Sequence, residues 1–311
     1  MQNRKIVTSY LLKSVIFLVT IAGADLVIGT MLKNFYHNQK YGDDYITRFA
    51  AENATPQTLI IGSSRAVNIF DPCVFRYELN TKTFNAGRIG QSIFYHYAIL
   101  KTVLKRYTPE IVVLSLDRRD FAIDKSDYDK LSELLPLYGT HPEIRPILNL
   151  KSPFEKVKMM SSIYPYNSFL LPILRGYLSD KSKVTYNGYR PLEKIIGAPV
   201  PIINYDLYVK LDSIKINIFR SLITDCKNAG IKLFLTCPPY MVQAAGIDQS
   251  IVTAKRIAAE YDIPFFDESE SVYYTARREY FADFRHLNES GSLAFSREIA
   301  LKIKRSLNNQ K

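Results

Sequence analysis

The chain has 311 residues, a formal net charge of +11 and only three cysteines. This length can bury a large core, and without its terminal segment the chain fits one domain of ordinary to generous size. Lysines and arginines are spread along the sequence, which suits anionic surfaces such as lipid headgroups or acidic polymers and gives little support for nucleic-acid binding. The odd number of cysteines, without a C-x-x-C spacing, favours neither a disulfide framework nor a zinc site.

The N-terminal segment is apolar from residue 6 to residue 32, interrupted by Lys13 and Asp25. As a helix it would rise about 40 Å, more than the roughly 30 Å of a hydrocarbon core, so the two charges can lie near its ends. We predict a signal-anchor transmembrane helix over residues 1–32, with the remainder exported; the basic N-terminus favours a cytoplasmic start. Two alternatives stay open: a signal peptide cleaved near Ala22-Gly23-Ala24, and a buried core helix.

Beyond the anchor, residues 33–57 are polar and predict a stalk. An apolar strand, Thr58–Ile61, then ends at Gly62, and a short helix or turn follows up to Phe70. The clearest strand is Ile111–Leu116, a continuous β-branched and leucine run suited to burial on both faces. It follows a helix predicted between residues 93 and 107.

Residues 124 to about 203 are rich in tyrosine, proline, lysine and serine, and predict an insertion of short helices and loops over the active-site entrance. Within it, the stretch from Met159 to Tyr177 is apolar enough to touch a membrane or a partner, although core packing is the simpler explanation. Regular elements then resume: a helix over 205–229, a strand over 231–236, a helix over 251–261, a strand over 263–266 and a final helix over 290–307. Helices alternating with apolar strands predict an α/β fold with a parallel sheet.

A serine, a histidine and a carboxylate stand in positions that suit acyl transfer. Ser64 follows the first strand, and Asp283 precedes His286 by three residues, a spacing that would let both face the same way on one helical turn. A hydroxyl nucleophile needs a neutral imidazole to accept its proton and a carboxylate to orient that imidazole. The simpler alternatives are a helix-capping role for Ser63 or Ser64, a helix-capping role for Asp283, and a solvated loop position for the histidine.

These blocks resemble the SGNH hydrolases, the superfamily of serine esterases and acyltransferases also called GDSL-like. The strand followed by Gly62-Ser63-Ser64 resembles the first family block, Asn85 to Gly90 resembles the second, and Asp283 with His286 resembles the last. The third family motif, G-x-N-D, is replaced after the second strand by Asp117-Arg118-Arg119-Asp120, without the asparagine.

The resemblance implies a three-layer, flavodoxin-like SGNH domain over residues 58–311. It implies Ser64 as nucleophile, His286 as base and Asp283 as its orienting acid, with the backbone N–H groups of Ser64 and Gly90 as oxyanion donors. Arg118 and Arg119, near the missing asparagine, can contact the oxyanion or an anionic acceptor, or form surface salt bridges with Asp117 or Asp120. No metal or organic cofactor is implied.

The function expected from this resemblance is an exported, serine-dependent esterase or O-acyltransferase acting on acetyl or other acyl esters of a cell-envelope or secreted polysaccharide. The expected location is the inner membrane, through the single N-terminal helix, with a multi-spanning membrane O-acyltransferase as an expected partner. A non-catalytic, carbohydrate-binding or assembly subunit of an O-acylation complex is the alternative, and a lipid-directed esterase is a third hypothesis.

Overall fold

The computed structural model describes residues 2–169, 171, 187–197, 199–200, 202–204, 209–245 and 248–309. The chain divides into two compact units. The anchor unit comprises Met1–Tyr45 and Leu131–Asp180, and the sheet unit comprises Ile46–Lys130 and Lys181–Lys311.

The α-helices of the described residues are, in chain order, α1 (Gln2–Asn38), α2 (Asp43–Glu52), α3 (Ser64–Ile69), α4 (Pro72–Leu79), α5 (Ile93–Leu104), α6 (Lys125–Asp129), α7 (Arg145–Leu148), α8 (Glu155–Lys158), α9 (Ser213–Asn228), α10 (Gln249–Glu260), α11 (Val272–Thr275) and α12 (Glu289–Asn308). The 3₁₀ turns are Lys130–Leu137, Pro142–Ile144, Asn149–Lys151, Tyr164–Phe169 and Arg278–Tyr280. The strands are β1 (Thr58–Gly62), β2 (Thr83–Asn85), β3 (Ile111–Ser115), β4 (Ile202–Asn204), β5 (Lys232–Cys237), β6 (Gln243–Ala245) and β7 (Phe265–Asp267).

The sheet unit is built on five parallel strands in the order β2-β1-β3-β5-β7. In sequence terms this is the 2-1-3-4-5 order of flavodoxin-like folds, in which ligands bind at the carboxyl ends of the strands where the order reverses. That reversal lies between β1 and β3, which pair in register from Thr58 opposite Ile111 to Gly62 opposite Ser115. The sequence therefore brings Ser64 and the segment after Ser115 to one edge of the sheet.

Helices pack on both faces of this sheet. On one face α12 packs against α3 and α4, with Phe295 and Ile299 buried among Ile60, Val113 and Phe234 of the strands. Because side chains alternate along a strand, the intervening residues of β1 and β3 point to the other face, where α5 packs against α9. Both faces of the central strands are buried, as their continuous apolar sequence predicts.

In the anchor unit, α1 is long and apolar enough, from Ile6 to Asn38, to cross a membrane. Its large apolar side chains between Ile6 and Met31 are exposed. Toward its C-terminal end, Leu32 and Tyr36 pack against Tyr166 and Phe169 in a small apolar cluster. One long apolar N-terminal helix of this kind fits a single-pass membrane anchor.

The predicted fold class is confirmed: a parallel five-stranded sheet with helices on both faces. Predicted boundaries differ in detail, since the helix predicted over 205–229 begins at Ser213, with residues 205–208 outside the described part. The Met159 to Tyr177 stretch likewise lies only partly within the described residues. Short elements such as β2 and α4 were not predicted, because three residues of strand or two turns of helix carry too little periodicity to be recognised.

Candidate active site

The turn after β1 separates two neighbouring serines into two roles. Ser63 is the N-cap of α3, and its side chain accepts a hydrogen bond from the backbone N–H of Arg65. Its hydroxyl also donates to Asp117, at 2.9 Å. Ser64, the first residue of α3, instead places its Oγ 2.8 Å from Nε2 of His286. The capping alternative for this block is therefore fulfilled by Ser63, which leaves the hydroxyl of Ser64 in contact with the imidazole.

Small residues let the backbone segments around Ser64 approach closely. A Cβ on Gly62 would lie 2.8 Å from the Cβ atoms of both Ala66 and Ser115, and a Cβ on Gly87 would lie 2.8 Å from the Cβ of Ala66. The amide of Asn85 fastens the second block to α3 by donating to the carbonyl of Ala66, at 2.7 Å. The strand-to-helix turn and the second block thus form one tightly packed corner, with its position set by Gly62, Ala66 and Gly87.

Asp283 and His286 lie in a tight loop, not on a helical turn as their spacing suggested. The loop is closed by a bridge between Phe281 and Leu287 and by the N–H of Ala282 donating to the carbonyl of His286, at 2.9 Å. Within it, the backbone N–H of His286 donates to Oδ1 of Asp283, at 2.9 Å. Both residues still face each other, because the carboxylate folds back over the loop that follows it.

The Asp283 carboxylate contacts the imidazole directly. Its oxygens lie 3.0 and 3.1 Å from Nδ1 of His286. Partial burial would raise the pKa of Asp283, but the hydrogen bonds from His286 and from the N–H of Arg285 outweigh it and lower the pKa to about 2. An ionised Asp283 accepts the Nδ1–H, which leaves Nε2 as the proton acceptor toward Ser64.

The final helix holds this loop in place from its other side. Asn288 caps α12 by accepting a hydrogen bond from the N–H of Gly291 at 3.1 Å. Its amide donates to the carbonyl of Glu279, at 2.6 Å. A Cβ on Gly291 would lie 2.3 Å from the carbonyl oxygen of Tyr280. The cap and the close approach fix the loop between Tyr280 and Asn288, which carries the base.

An open pocket of about 580 Å³ lies over the Ser64 hydroxyl. Its walls are mostly charged or polar, with few apolar side chains: Ser63, Ser64, Ile89, Gly90, Gln91, Ser92, Asp117, Arg118, Arg119, Asp120, Asp124, Asp127, Lys130, Tyr240, Phe284 and Arg285. The structure therefore brings four of the predicted site residues, Ser64, Gly90, Arg118 and Arg119, to one pocket, which Asp117 also lines. Gly90 has a φ of +75°, which glycine adopts readily.

Asp117 takes the position where the third family motif would begin, and it is the centre of a buried network. Its carboxylate accepts hydrogen bonds from Ser63, from Arg65 at 3.3 Å and from the hydroxyl of Tyr240. Arg285 of the loop lies 3.5 Å from the same carboxylate. Burial would raise the pKa of Asp117, but the two guanidinium groups and the hydroxyl donors hold it below its usual value.

Arg65 and Tyr240 complete this network beneath the pocket. The Arg65 guanidinium is fully buried, donates to the carbonyl of Pro239 at 2.8 Å and stacks 3.6 Å from the centroid of the Tyr240 ring. The Tyr240 hydroxyl also accepts from the N–H of Arg118, at 2.9 Å. Sequence reasoning missed Arg65 and Tyr240; the signal available was that both stand just after strands of the sheet, at its ligand-binding edge.

The two arginines proposed near the oxyanion differ in environment. Arg118 is buried, pairs with Glu270 at 3.1 Å and lies 4.6 Å from the centroid of the Tyr240 ring. Arg119 is exposed, has a φ of +63° and donates its backbone N–H to Asp248 at 3.1 Å. The position of neither arginine gives it a role as an oxyanion donor. Both arginines line the pocket.

No protein-family model and no curated protein matches the chain. Among solved structures, it resembles a protein assigned as an acylhydrolase from Bacteroides fragilis, at 15% identity and a TM-score of 0.42, covering 88% of this chain and 98% of that one. A GDSL-like lipase from Bacteroides thetaiotaomicron matches at 13% identity and a TM-score of 0.40, covering 87% and 100%.

An acetyl xylan esterase from the rumen bacterium Butyrivibrio proteoclasticus matches at 8% identity and a TM-score of 0.37, covering 81% of this chain and 64% of that one. At these identities and TM-scores the matches carry no functional argument, so the functional proposal below rests on the side chains of this chain. Within the described residues, no group of three or more histidine, cysteine or acidic side chains is arranged to hold a metal ion.

Proposed function

We propose that the protein is a serine-dependent, SGNH-like enzyme that cleaves O-acyl esters through an acyl-enzyme formed on Ser64. The observation that carries the proposal is the chain of contacts from Ser64 Oγ to His286 Nε2, at 2.8 Å, and from His286 Nδ1 to the Asp283 carboxylate, at 3.0 Å. These three groups come from opposite ends of the sequence and meet at the sheet edge where α/β folds bind ligands. A solvated histidine or an isolated helix cap needs no such arrangement.

In the proposed reaction, His286 Nε2 accepts the Ser64 proton while Oγ attacks the acyl carbonyl carbon. The carbonyl becomes an oxyanion, which the backbone N–H groups of Ser64 and Gly90 stabilise. Collapse of this intermediate breaks the ester bond, and His286 returns the proton to the leaving alkoxide. A second acceptor hydroxyl, activated by His286 in the same way, then removes the acyl group from Ser64. Asp283 holds the imidazole tautomer throughout.

The pocket favours a polar substrate that carries a short acyl group. Its walls carry the acidic side chains of Asp117, Asp120, Asp124 and Asp127 together with positively charged arginine and lysine side chains. Few apolar side chains are available to contact a long acyl chain. Hydroxyl-rich sugars hydrogen-bond well to such side chains. We therefore propose an O-acetylated polysaccharide of the cell envelope or a secreted polysaccharide, rather than a lipid ester.

The proposed location is the inner membrane, with α1 as a single-pass anchor and the sheet unit on the extracytoplasmic side. Support comes from the exposed apolar surface of α1 and from the basic residues Arg4 and Lys5 at its N-terminal end. Water as acceptor would make the protein an esterase, and a sugar hydroxyl would make it an O-acyltransferase. For transfer, a multi-spanning membrane acyltransferase is the proposed partner that supplies or receives the acyl group.

The test is to incubate the full-length protein in detergent with a fluorophosphonate and, separately, with an acetylated xylan. We expect labelling and acetate release from wild type and from Ser92→Ala, which removes another serine hydroxyl from the same pocket. We expect neither from Ser64→Ala. Adding a sugar acceptor and searching for a newly acetylated product by mass spectrometry separates transfer from hydrolysis.

A folded protein that binds the glycan equally well with serine or alanine at position 64, and is never labelled, would instead support the non-catalytic subunit. The missing asparagine of the third block is the observation behind that second candidate. Faster hydrolysis of long-chain lipid esters than of acetylated glycans would overturn the substrate proposed here.

A further inference from the structure

A carboxylate on the apolar helix α1 is bound by a distant segment of the anchor unit. Asp25 accepts hydrogen bonds from the Ser161 hydroxyl at 2.5 Å, from the N–H of Ser162 at 2.6 Å and from the N–H of Ile163 at 3.4 Å. An unpaired carboxylate on a membrane helix is costly because lipid offers it no donors. The segment around Ser162 provides those donors. The sequence predicts only that Asp25 lies near an end of the span, and the structure shows that it also binds this segment.

Further residues on the same face of α1 also contact the segment around Ser162. Gly29 stands one turn beyond Asp25, and a Cβ there would lie 2.4 Å from the backbone carbon of Ser162, so only glycine allows this approach. Leu32 and Tyr36, one and two turns further, pack in the cluster with the 3₁₀ turn Tyr164–Phe169. Residues at spacings of three and four share one helix face. The segment is therefore fixed to α1 along about three turns, beginning at Asp25.

This docking point lies near one boundary of the hydrocarbon layer if α1 spans the membrane. From Ile6 to Asp25 the helix rises about 29 Å, close to the roughly 30 Å thickness of a hydrocarbon core. Beyond Asp25 the helix still exposes Leu26, Val27 and Met31. When the hydrocarbon layer begins at Ile6, the segment bound to Asp25 lies at the depth where the acyl chains meet the headgroups.

Residues 154–160, which directly precede the segment bound to α1, present large apolar side chains to their surroundings. Phe154, Val157 and Met160 recur at every third residue around α8, and their side chains are 66%, 63% and 84% exposed. Glu155 is buried between them and binds Lys158 at 2.9 Å and the Tyr164 hydroxyl at 2.7 Å, which turns the opposite side of α8 outward. Three such residues within seven positions form an exposed apolar patch of the kind that marks an interaction surface.

Charge beside the patch suits a bilayer surface. Lys156 is exposed between the apolar residues, whereas Lys151 and Lys158 pair with the buried Glu155 at 3.8 and 2.9 Å. Lysines can extend their charged ends to phosphate while their aliphatic stems remain in the apolar layer. Aromatic and apolar groups alternating with lysines are typical of segments that lie in a membrane interface.

We propose that residues 154–160, named here the interface segment, insert Phe154, Val157 and Met160 into the surface of the same bilayer that α1 crosses. The interface segment would act as a second, shallow attachment, with its depth set by the Asp25 contacts. The inference rests on α1 being the membrane anchor, and it is independent of the proposed chemistry at Ser64. It goes beyond a single-helix anchor because the unit would be held at two points.

The absence of tryptophan from the natural sequence allows a direct test. Single tryptophans are introduced by Met160→Trp in the interface segment, by Ile21→Trp in the middle of α1 and by Tyr77→Trp at an 82% exposed position of the sheet unit. Each full-length variant is placed in nanodiscs of phosphatidylethanolamine and phosphatidylglycerol, with or without brominated acyl chains. Emission is also measured with acrylamide in the aqueous phase.

We expect brominated lipid to quench the emission of Met160→Trp and Ile21→Trp at least twofold and to leave Tyr77→Trp unchanged, whereas acrylamide quenches chiefly Tyr77→Trp. Circular dichroism confirms that each variant is folded. Quenching of Ile21→Trp alone, with Met160→Trp open to acrylamide, would overturn the interface segment while the anchor stands. Protection of Met160→Trp from both quenchers would show a protein contact, such as a second copy, and would also overturn it. No lipid quenching of Ile21→Trp would reject the anchor and the inference together.

Discussion

His96 of α5 is the most informative position for testing the electrostatics of the sheet unit. Its side chain is fully buried, and neither ring nitrogen has a hydrogen-bond partner among the described residues. Burial lowers the pKa of His96 from 6.5 to about 3, and the charge of Asp117 offsets this only in part. The imidazole is therefore neutral in the folded protein over the whole range in which the unfolded chain takes up a proton.

The sign of the resulting pH dependence follows from linkage. Because the folded pKa is depressed, the unfolded state binds more protons between pH 6.5 and about 3, so the free energy of unfolding falls as the pH falls through this window. Between pH 8 and pH 5 the loss from His96 is about 2 kcal/mol. At pH 8 the unpaired ring nitrogens cost a further 1–3 kcal/mol or so.

We predict that His96→Leu, of similar volume, raises the free energy of unfolding by about 1 kcal/mol or more at pH 8. Its advantage over wild type should grow by about 2 kcal/mol at pH 5, because leucine cannot bind the proton. Urea unfolding of the full-length proteins in detergent, followed by circular dichroism at both pH values, measures this. The exposed-position variant Val272→Leu, which removes no titratable group, serves as control and should show no such growth. A difference between His96→Leu and wild type that is the same at pH 8 and pH 5 would refute the reasoning.

Three further outcomes are expected in the sheet unit. Gly188→Ala should destabilise by about 2–3 kcal/mol in urea unfolding, because its φ is +90° and a Cβ would lie 1.8 Å from the carbonyl oxygen of Asn85; a cost below about 1 kcal/mol would contradict this. Arg65→Met should cost about 3–5 kcal/mol by leaving the buried Asp117 carboxylate without its main cation; an unchanged melting temperature would count against the network. Asp283→Asn should melt at a lower temperature than wild type above pH 3.8, and this difference should vanish as the pH falls through about 2, where the carboxylate becomes protonated. An undiminished difference in melting temperature at pH 2 would argue against an ionised carboxylate.

The sequence predicted the sheet because its evidence is local. The continuous apolar run of Ile111–Leu116 can be satisfied only by burial on both faces, and the glycine after Ile61 marks the end of a strand that approaches its neighbours closely. The predicted contact of Ser64 with His286 depended on resemblance, since no local rule links positions that far apart in the chain. Their proximity in the structure follows from strand order, which brings both segments to one edge of the sheet.

Other parts of the site could not be predicted from local patterns. Arg65 reads as an ordinary polar residue of a short helix, and only tertiary packing against Tyr240 shows that it is buried. The Asp283 spacing suggested a helical turn, whereas backbone hydrogen bonds to its own carboxylate stabilise a loop instead. Competition between an aspartate side chain and the helical backbone was the physical effect that the spacing argument omitted. The docking of Ser162 on α1 likewise depends on contacts between segments far apart in sequence.

The most direct test of the account is the location of the acyl-enzyme. The full-length protein is incubated with an activated acetyl ester, quenched in acid and digested, and the peptides are sequenced by tandem mass spectrometry. We predict one acetyl group on the Ser64 hydroxyl, absent from Ser64→Ala and strongly reduced in His286→Ala. A folded wild-type protein with no acetylated serine, or with the acetyl group on a different serine and equal turnover in Ser64→Ala, would contradict the central claim.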